Sequence, residues 1–149
     1  MTLRDRLTED MKQAMKAKEA GKLKLSVIRM VRSAAKYLEI DRHKELDDNE
    51  LLEVVAKEVK MRKDSLDEFR KANRPELLAT LEQEIAILME YLPEQMGETE
   101  VRALVAQAVA DAQASGPKDM GKVMALLMPK VKGRADGKLV NSLVKEMLS

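Results

Sequence analysis

Five of the nine residues from 130 to 138, KVKGRADGK, are Lys, Arg or Asp, and they surround two glycines. Lys130, Lys132, Arg134 and Lys138 supply cations. Gly133 and Gly137 let the backbone turn tightly and expose amide hydrogens, and a helix N-terminus is expected to follow. Residues of these types at this spacing are suited to holding phosphate. Asp136 argues against a closed pocket, because a carboxylate capping the next helix repels the anion that the helix end attracts. Tracking of a phosphodiester backbone by the cations survives that objection. A plainer reading is also open, in which Gly133 ends one helix, Asp136 caps the next, and the lysines are solvated near a helix C-terminus.

Charge is distributed to suit the first reading. The chain carries 27 basic and 26 acidic residues for a net charge of +1, so whole-molecule attraction to a polyanion is excluded and a nucleic-acid surface must be local. Residues 118–149 hold seven basic residues against three acidic, whereas residues 1–96 hold 19 against 20. A second basic stretch lies in residues 20–38, where Lys22, Lys24, Arg29, Arg32 and Lys36 occur without an acidic residue. Arg29, Arg32 and Lys36 on one helix form a possible second RNA surface, although they could instead pair with acids on neighbouring helices, the expectation for Arg29.

Other chemistry has little to work with. His43 is the single histidine and falls in a polar stretch between helices, with no second His or Cys to share a metal. Glu82 and Glu84 flank an apolar helix and are expected to pair with Lys60, Arg62 or Lys63; a general-base role is the weaker reading. No phosphate loop of the Walker type and no dinucleotide fingerprint is present. No catalytic residue, metal or cofactor is expected. Cysteine is absent, which removes disulfides, thiolate nucleophiles and zinc-thiolate sites and fits a reducing cytoplasm. No apolar run reaches the ~18 residues of a membrane span, and no membrane partner is expected.

The elements that must position these residues are helices. Apolar residues recur at three- and four-residue steps through residues 3–18 and again at Val27, Val31, Ala34 and Leu38, with Gly21 interrupting between. Asp47 with Glu50 three residues on resembles a capping box and opens a third helix to about residue 72. Asn73 and Arg74 before Pro75 turn the chain into a fourth, reaching about residue 92. If the turn centres near residues 73 and 74, Phe69 faces Leu78, Leu66 faces Leu81, Val59 faces Leu88 and Val55 faces Leu92. Arg62 alone interrupts that stripe, and an ion pair with Glu84 is expected. Pro93 and Gly97 mark a boundary. Three short helices follow, with Gly97, Asp119 and Asp136 at their starts. The expected fold is all-α: an N-terminal helical domain, residues 1–93, containing a long antiparallel helical hairpin, and a small three-helix domain, residues 97–149.

Four segments carry a resemblance: LSVIRMVRSAAKYLEI from Leu25, VKMRKDSLDEF from Val59, EQEIAILMEYLPEQM from Glu82, and DMGKVMALLMPKVKGRADGKLVN from Asp119. The chain resembles the YqeY proteins, whose C-terminal part is shared with the tail of the B subunit (GatB) of the tRNA-dependent amidotransferase. One departure is Gly97, where similar sequences usually place Ser. The resemblance implies an all-helical N-terminal domain and a small helical tail that in the amidotransferase reaches the outer elbow of tRNA. Carried onto the matching motif, the candidate RNA contacts are Lys122, Lys130, Lys132, Gly133, Arg134 and Lys138. The family's amidotransferase or carbon-nitrogen ligase label does not transfer with it, because the amidase and phosphorylation centres lie outside the shared region.

The leading expectation is therefore a non-catalytic tRNA-binding accessory protein, with an aminoacyl-tRNA synthetase or an amidotransferase component as further partner. A helical protein-interaction module presenting Met120, Met124 and Met128 is the alternative. An enzyme using Glu82 or Glu84 as base ranks third.

Overall fold

A computed structural model describes all 149 residues. Seven α-helices and two short 3₁₀ turns make up the ordered elements, and there is no strand. In chain order they are α1 (Leu3–Lys16), a 3₁₀ turn (Lys18–Gly21), α2 (Lys22–Arg42), α3 (Asp48–Lys71), α4 (Pro75–Met89), α5 (Glu98–Asp111), a second 3₁₀ turn (Pro117–Asp119), α6 (Met120–Val131) and α7 (Gly137–Leu148). The all-α expectation holds. The chain divides into two compact units, Met1–Leu92 and Pro93–Ser149.

In the first unit, α1 starts with a capping box: Asp5 N donates to Thr2 Oγ1 and Thr2 N donates to Asp5 Oδ2, each at 3.1 Å. Two otherwise unpaired amides are thereby satisfied. Gly21 then joins α1 to α2 by close backbone approach. A Cβ at Gly21 would lie 2.2 Å from the Ala14 carbonyl oxygen, so only glycine fits there. Leu3 and Leu7 of α1 enter a core with Val27, Ile28, Val31 and Ala35 of α2 and Leu51, Val54, Val55 and Val59 of α3. His43 ends α2 in the left-handed conformation, φ 54°, with its side chain in solvent.

The capping box read at Asp47 and Glu50 is present. Glu50 N donates to Asp47 Oδ1 at 2.8 Å and Asp47 N to Glu50 Oε1 at 3.3 Å. Pro75 occupies the first turn of α4, and Asn73 takes φ 56° in the connection. The α3–α4 hairpin buries Val55, Val59, Leu66 and Leu88, while Leu78 and Leu81 near the turn are half-buried. Packing is therefore tightest at the end of the hairpin that meets α1 and α2. The ion pair expected of Arg62 is there, with Nε 3.1 Å from Glu84 Oε2.

In the second unit, one apolar face of each helix meets the other two: Val101, Val105 and Ala108 of α5, Val123, Leu127 and Val131 of α6, and Val140, Leu143, Val144 and Leu148 of α7. Gly97 starts α5 with no side-chain cap. Asp119 does not cap α6 as the sequence suggested. Its carboxylate accepts from Ser115 N at 2.9 Å and from Ser115 Oγ at 3.3 Å, closing the preceding turn instead. Asp119 holds the N-cap position, but the 3₁₀ turn that starts at Pro117 leaves it at φ −92° and ψ 4° rather than extended, so its carboxylate turns back to Ser115 and not to the first helical amides.

Candidate functional site

The basic turn between α6 and α7 is built by how α6 ends. Lys132 is its C-cap, and Gly133 follows at φ 74°, a conformation glycine adopts without steric penalty. Arg134 N and Ala135 N both donate to the Val131 carbonyl, at 2.9 and 3.0 Å. Asp136 Oδ1 accepts from Lys138 N at 3.0 Å and caps α7, as the sequence indicated. The amides of 134, 135 and 138 are thus bonded within the chain. An amide cradle for phosphate is therefore not what the turn offers there, and its means of holding an anion are its side chains.

The segment entering the same unit fastens this turn. Met96 N donates to the Arg134 carbonyl at 2.7 Å, Gln95 Nε2 donates to the Gly133 carbonyl at 2.8 Å and to the Pro93 carbonyl at 2.8 Å, and Arg134 Nε donates to the Glu94 carbonyl at 3.3 Å. This latch escaped the sequence reading. Gln95 lies within the segment EQEIAILMEYLPEQM, but an amide side chain in a polar loop gives no sign of which carbonyl it will reach. Pro129 was missed as well. It sits inside α6, where it has no N–H to offer the Ala125 carbonyl four residues back.

Of the six candidate contacts, Lys130, Lys132 and Lys138 are exposed, and Arg134 and Gly133 are half-buried. Lys130, Lys132, Gly133 and Arg134 are brought together by the turn, and Lys138 stands in the first turn of α7. Lys122 is not among them. It lies two turns earlier on α6, about 12 Å along the helix axis from Lys130 at 1.5 Å per residue, with Nζ 3.9 Å from Asp119 Oδ1. The Ser115 amide, with help from Lys122, holds the Asp119 carboxyl below the usual carboxylate range.

Arg29, Arg32 and Lys36 are exposed on α2 in the first unit. The acidic partner expected for Arg29 is missing, since Arg29 makes no ion pair and instead lines an open groove beside Met30. Arg32 Nη1 lies 3.4 Å from Met11 Sδ, and Lys36 acts electrostatically on Glu39.

The remaining candidates have structural surroundings. Met120 and Met124 pack against the core of the second unit, and only Met128 is exposed. Glu84 is held by Arg62, while Glu82 points to solvent. No three His, Asp or Glu side chains are grouped so as to hold a metal ion, and no helix is long and apolar enough to cross a membrane.

Fold and surface together define a class: an all-helical chain of two compact units, the second carrying a latched basic turn. The chain belongs to the YqeY family, since the family model described as Yqey-like protein matches residues 4–148. Among curated relatives, it is 37% identical over 114 residues to "Altered inheritance of mitochondria protein 41, mitochondrial" of Lachancea thermotolerans, covering 74% of this chain and 60% of that protein. The protein of the same name from Kluyveromyces lactis is 42% identical over 115 residues, again 74% of this chain and 60% of the relative. That from Pyrenophora tritici-repentis is 30% identical over 146 residues, 96% of this chain and 79% of the relative. The chain thus spans about three fifths of the length of two of these relatives.

These names correct the cytoplasmic placement expected from composition, because each relative is named as mitochondrial. Absence of cysteine tells only that disulfides are not used, and it does not distinguish one reducing compartment from another.

Proposed function

We propose that this chain is a non-catalytic tRNA-binding accessory protein whose C-terminal unit lies along the phosphate backbone of folded RNA. The observation that carries this reading is the turn at 130–138. Lys130, Lys132 and Lys138 are exposed around a left-handed glycine, and the backbone beneath them is fixed by Gln95 and Met96. A pre-set turn places its cations with less ordering to be done on binding. Residues 93–149 contain no aromatic side chain, so bases find no aromatic ring to stack on there, and recognition rests on shape and backbone charge. Lys122 stands apart from this turn, two turns back on α6, and Arg29, Arg32 and Lys36 are a second basic surface of the chain. An aminoacyl-tRNA synthetase or amidotransferase component is the protein partner this role would bring.

Filter binding of tRNA across a salt series tests the reading. Replacing Lys130, Lys132 and Arg134 together by Gln should lower the slope of log K against log salt by about 0.7 to 0.9 for each phosphate that is no longer neutralised. An unchanged slope removes the turn from the account. Glutamine-dependent amidation by the purified chain alone is not expected.

A further inference from the structure

The outward face of α2 carries a pattern that the RNA reading does not use. Leu23, Ser26, Met30, Ser33, Tyr37 and Ile40 alternate at three- and four-residue steps along its 21 residues. That period of 3.5 is the seam of a coiled coil, with Leu23, Met30 and Tyr37 at one core position and Ser26, Ser33 and Ile40 at the other. The helix already has its own core on the opposite side, where Val27, Ile28, Val31 and Ala35 are buried. The seam is left outside: Met30 is 47% exposed, Tyr37 77% and Ile40 62%. An open groove of about 530 Å³ runs along its N-terminal half, lined by Lys22, Ser26, Arg29, Met30 and Ser33 and by Glu58 of α3. Ser26 and Ser33 are small enough for another backbone to approach there.

Charge says what kind of helix belongs in the seam. Lys22, Arg29 and Lys36 recur every seven residues along one edge of it, the flanking position from which a coiled-coil helix pairs with its partner's charges. Lys22 and Arg29 have no carboxylate within ion-pair distance, and Lys36 acts only on Glu39. Glu58 beside the groove is paired with Arg62 at 3.7 Å. A second copy of α2 fits poorly. Laid antiparallel, it would set these cations against each other; laid parallel, it would face Lys22 and Arg29 with Val27 and Ala34.

We propose that the outward face of α2 docks an amphipathic helix of a partner protein, apolar along its own seam and acidic at the flanking heptad positions. It does not rest on the RNA reading of the C-terminal turn, and it assigns Arg29 and Lys36 of the second basic surface to a protein partner. The aliphatic residues on the seam, Leu23, Met30 and Ile40, distinguish this face from a nucleic-acid surface, because they neither stack on bases nor neutralise phosphate.

Fluorescence anisotropy with the full chain tests it, using a fluorescein-labelled synthetic helix of three heptads with Leu on its seam and Glu at its flanks, and a twin with Lys for Glu. The Glu peptide should bind at least tenfold tighter than the twin. Tyr37→Asp with Ile40→Asp should abolish binding, and Lys22→Glu, Arg29→Glu and Lys36→Glu together should reverse the preference toward the Lys twin. All these positions are solvent-accessible or half-buried at most, and unchanged circular dichroism confirms that the fold persists. Equal binding of the twins, or no reversal on charge exchange, overturns the proposal. So does a dimer in sedimentation equilibrium that Tyr37→Asp dissolves, which would assign the face to a second copy. A loss of tRNA salt slope on charge reversal, with the Glu peptide binding no tighter than its twin, would assign it to RNA.

Discussion

Arg62 of α3 reaches across the helical hairpin to Glu84 of α4 at 3.1 Å, and both of its guanidinium ends are engaged, Nη1 with the Glu58 carbonyl at 3.1 Å and Nη2 with Met30 Sδ at 3.3 Å. Arg62 and Glu58 are buried, so this is a charged knot inside an apolar stripe. Removing one partner strands the others. Arg62→Ala should destabilise the chain by about 3 to 5 kcal/mol, because Glu58 and Glu84 would remain charged with no cation between them. Adding Glu84→Leu to Arg62→Met should recover part of that loss, and urea denaturation of the single and double variants measures the coupling. Additive losses would mean that the pair is not linked.

Gly21 is irreplaceable for a reason of space. Its missing Cβ would collide with the Ala14 carbonyl, a backbone atom that has no rotamer to move into. Gly21→Ala should cost about 1 to 3 kcal/mol or more, as overpacking does. Gly121→Ala serves as the control, because its Cβ would meet nothing within 4 Å and it stands in the first turn of α6. That change should be neutral or stabilise by up to about 0.5 kcal/mol, less than in a helix interior. Thermal melts of both variants decide the matter.

Gly97 leaves α5 without a side-chain cap while already in extended geometry, φ −75° and ψ 166°, with open space around it. Gly97→Ser should add a hydroxyl acceptor for the first amides and reduce the freedom of the unfolded chain. Together these should raise stability by roughly 0.5 to 1 kcal/mol. No rise in the denaturation midpoint of the second unit would show that water caps this helix equally well.

Acid should weaken the first unit. The Leu46 amide, followed by Arg4, holds the Glu39 carboxyl below its usual range, and Lys44, followed by the Asp47 amide, does the same for Glu50. A carboxylate with its pKa lowered in the folded state contributes stability above its unfolded pKa, and that contribution disappears as pH falls through the folded value. Urea midpoints should therefore be flat near neutrality and decline as pH drops below the ordinary glutamate range. Glu39→Gln should lessen the decline, and a parallel curve would exclude Glu39 as a source.

The latch on the basic turn should be measurable without RNA. Gln95→Ala removes bonds to the Gly133 and Pro93 carbonyls, exposed ones that contribute about 1 kcal/mol net each at most. Faster deuterium exchange at the Met96 amide, which is bonded to the Arg134 carbonyl, is the expected result. Unaltered exchange would mean that the turn holds its shape alone.

The parts of this molecule that were legible in the sequence are those fixed by local spacing. Asp47 and Glu50, Pro75 and the Arg62–Glu84 pair could be read because a cap, a helix start and an antiparallel register each follow from positions counted along one or two adjoining helices. What could not be read depends on distant groups meeting. Gln95 finds the Gly133 carbonyl 38 residues away, and Gly21 owes its necessity to Ala14 across a turn. Asp119 misled for a local reason, since the 3₁₀ turn from Pro117 leaves it at the N-cap position without the extended backbone a capping side chain needs. At the basic turn, the sequence identified the cations and Gly133, but not that the amides of 134 and 135 share the Val131 carbonyl.

The distribution of rings gives the chain an optical division. Tyr91 is buried, donates its phenol to Asp10, and lies under the Arg6 guanidinium at 5.1 Å, while Tyr37 stands in water on α2. Both tyrosines and Phe69 precede residue 93, and there is no tryptophan. Near-ultraviolet absorbance and tyrosine emission therefore witness only the melting of the N-terminal unit, whereas far-ultraviolet dichroism sums every helix. Any temperature interval in which the second signal changes and the first is still is the C-terminal unit unfolding by itself, visible with no label attached.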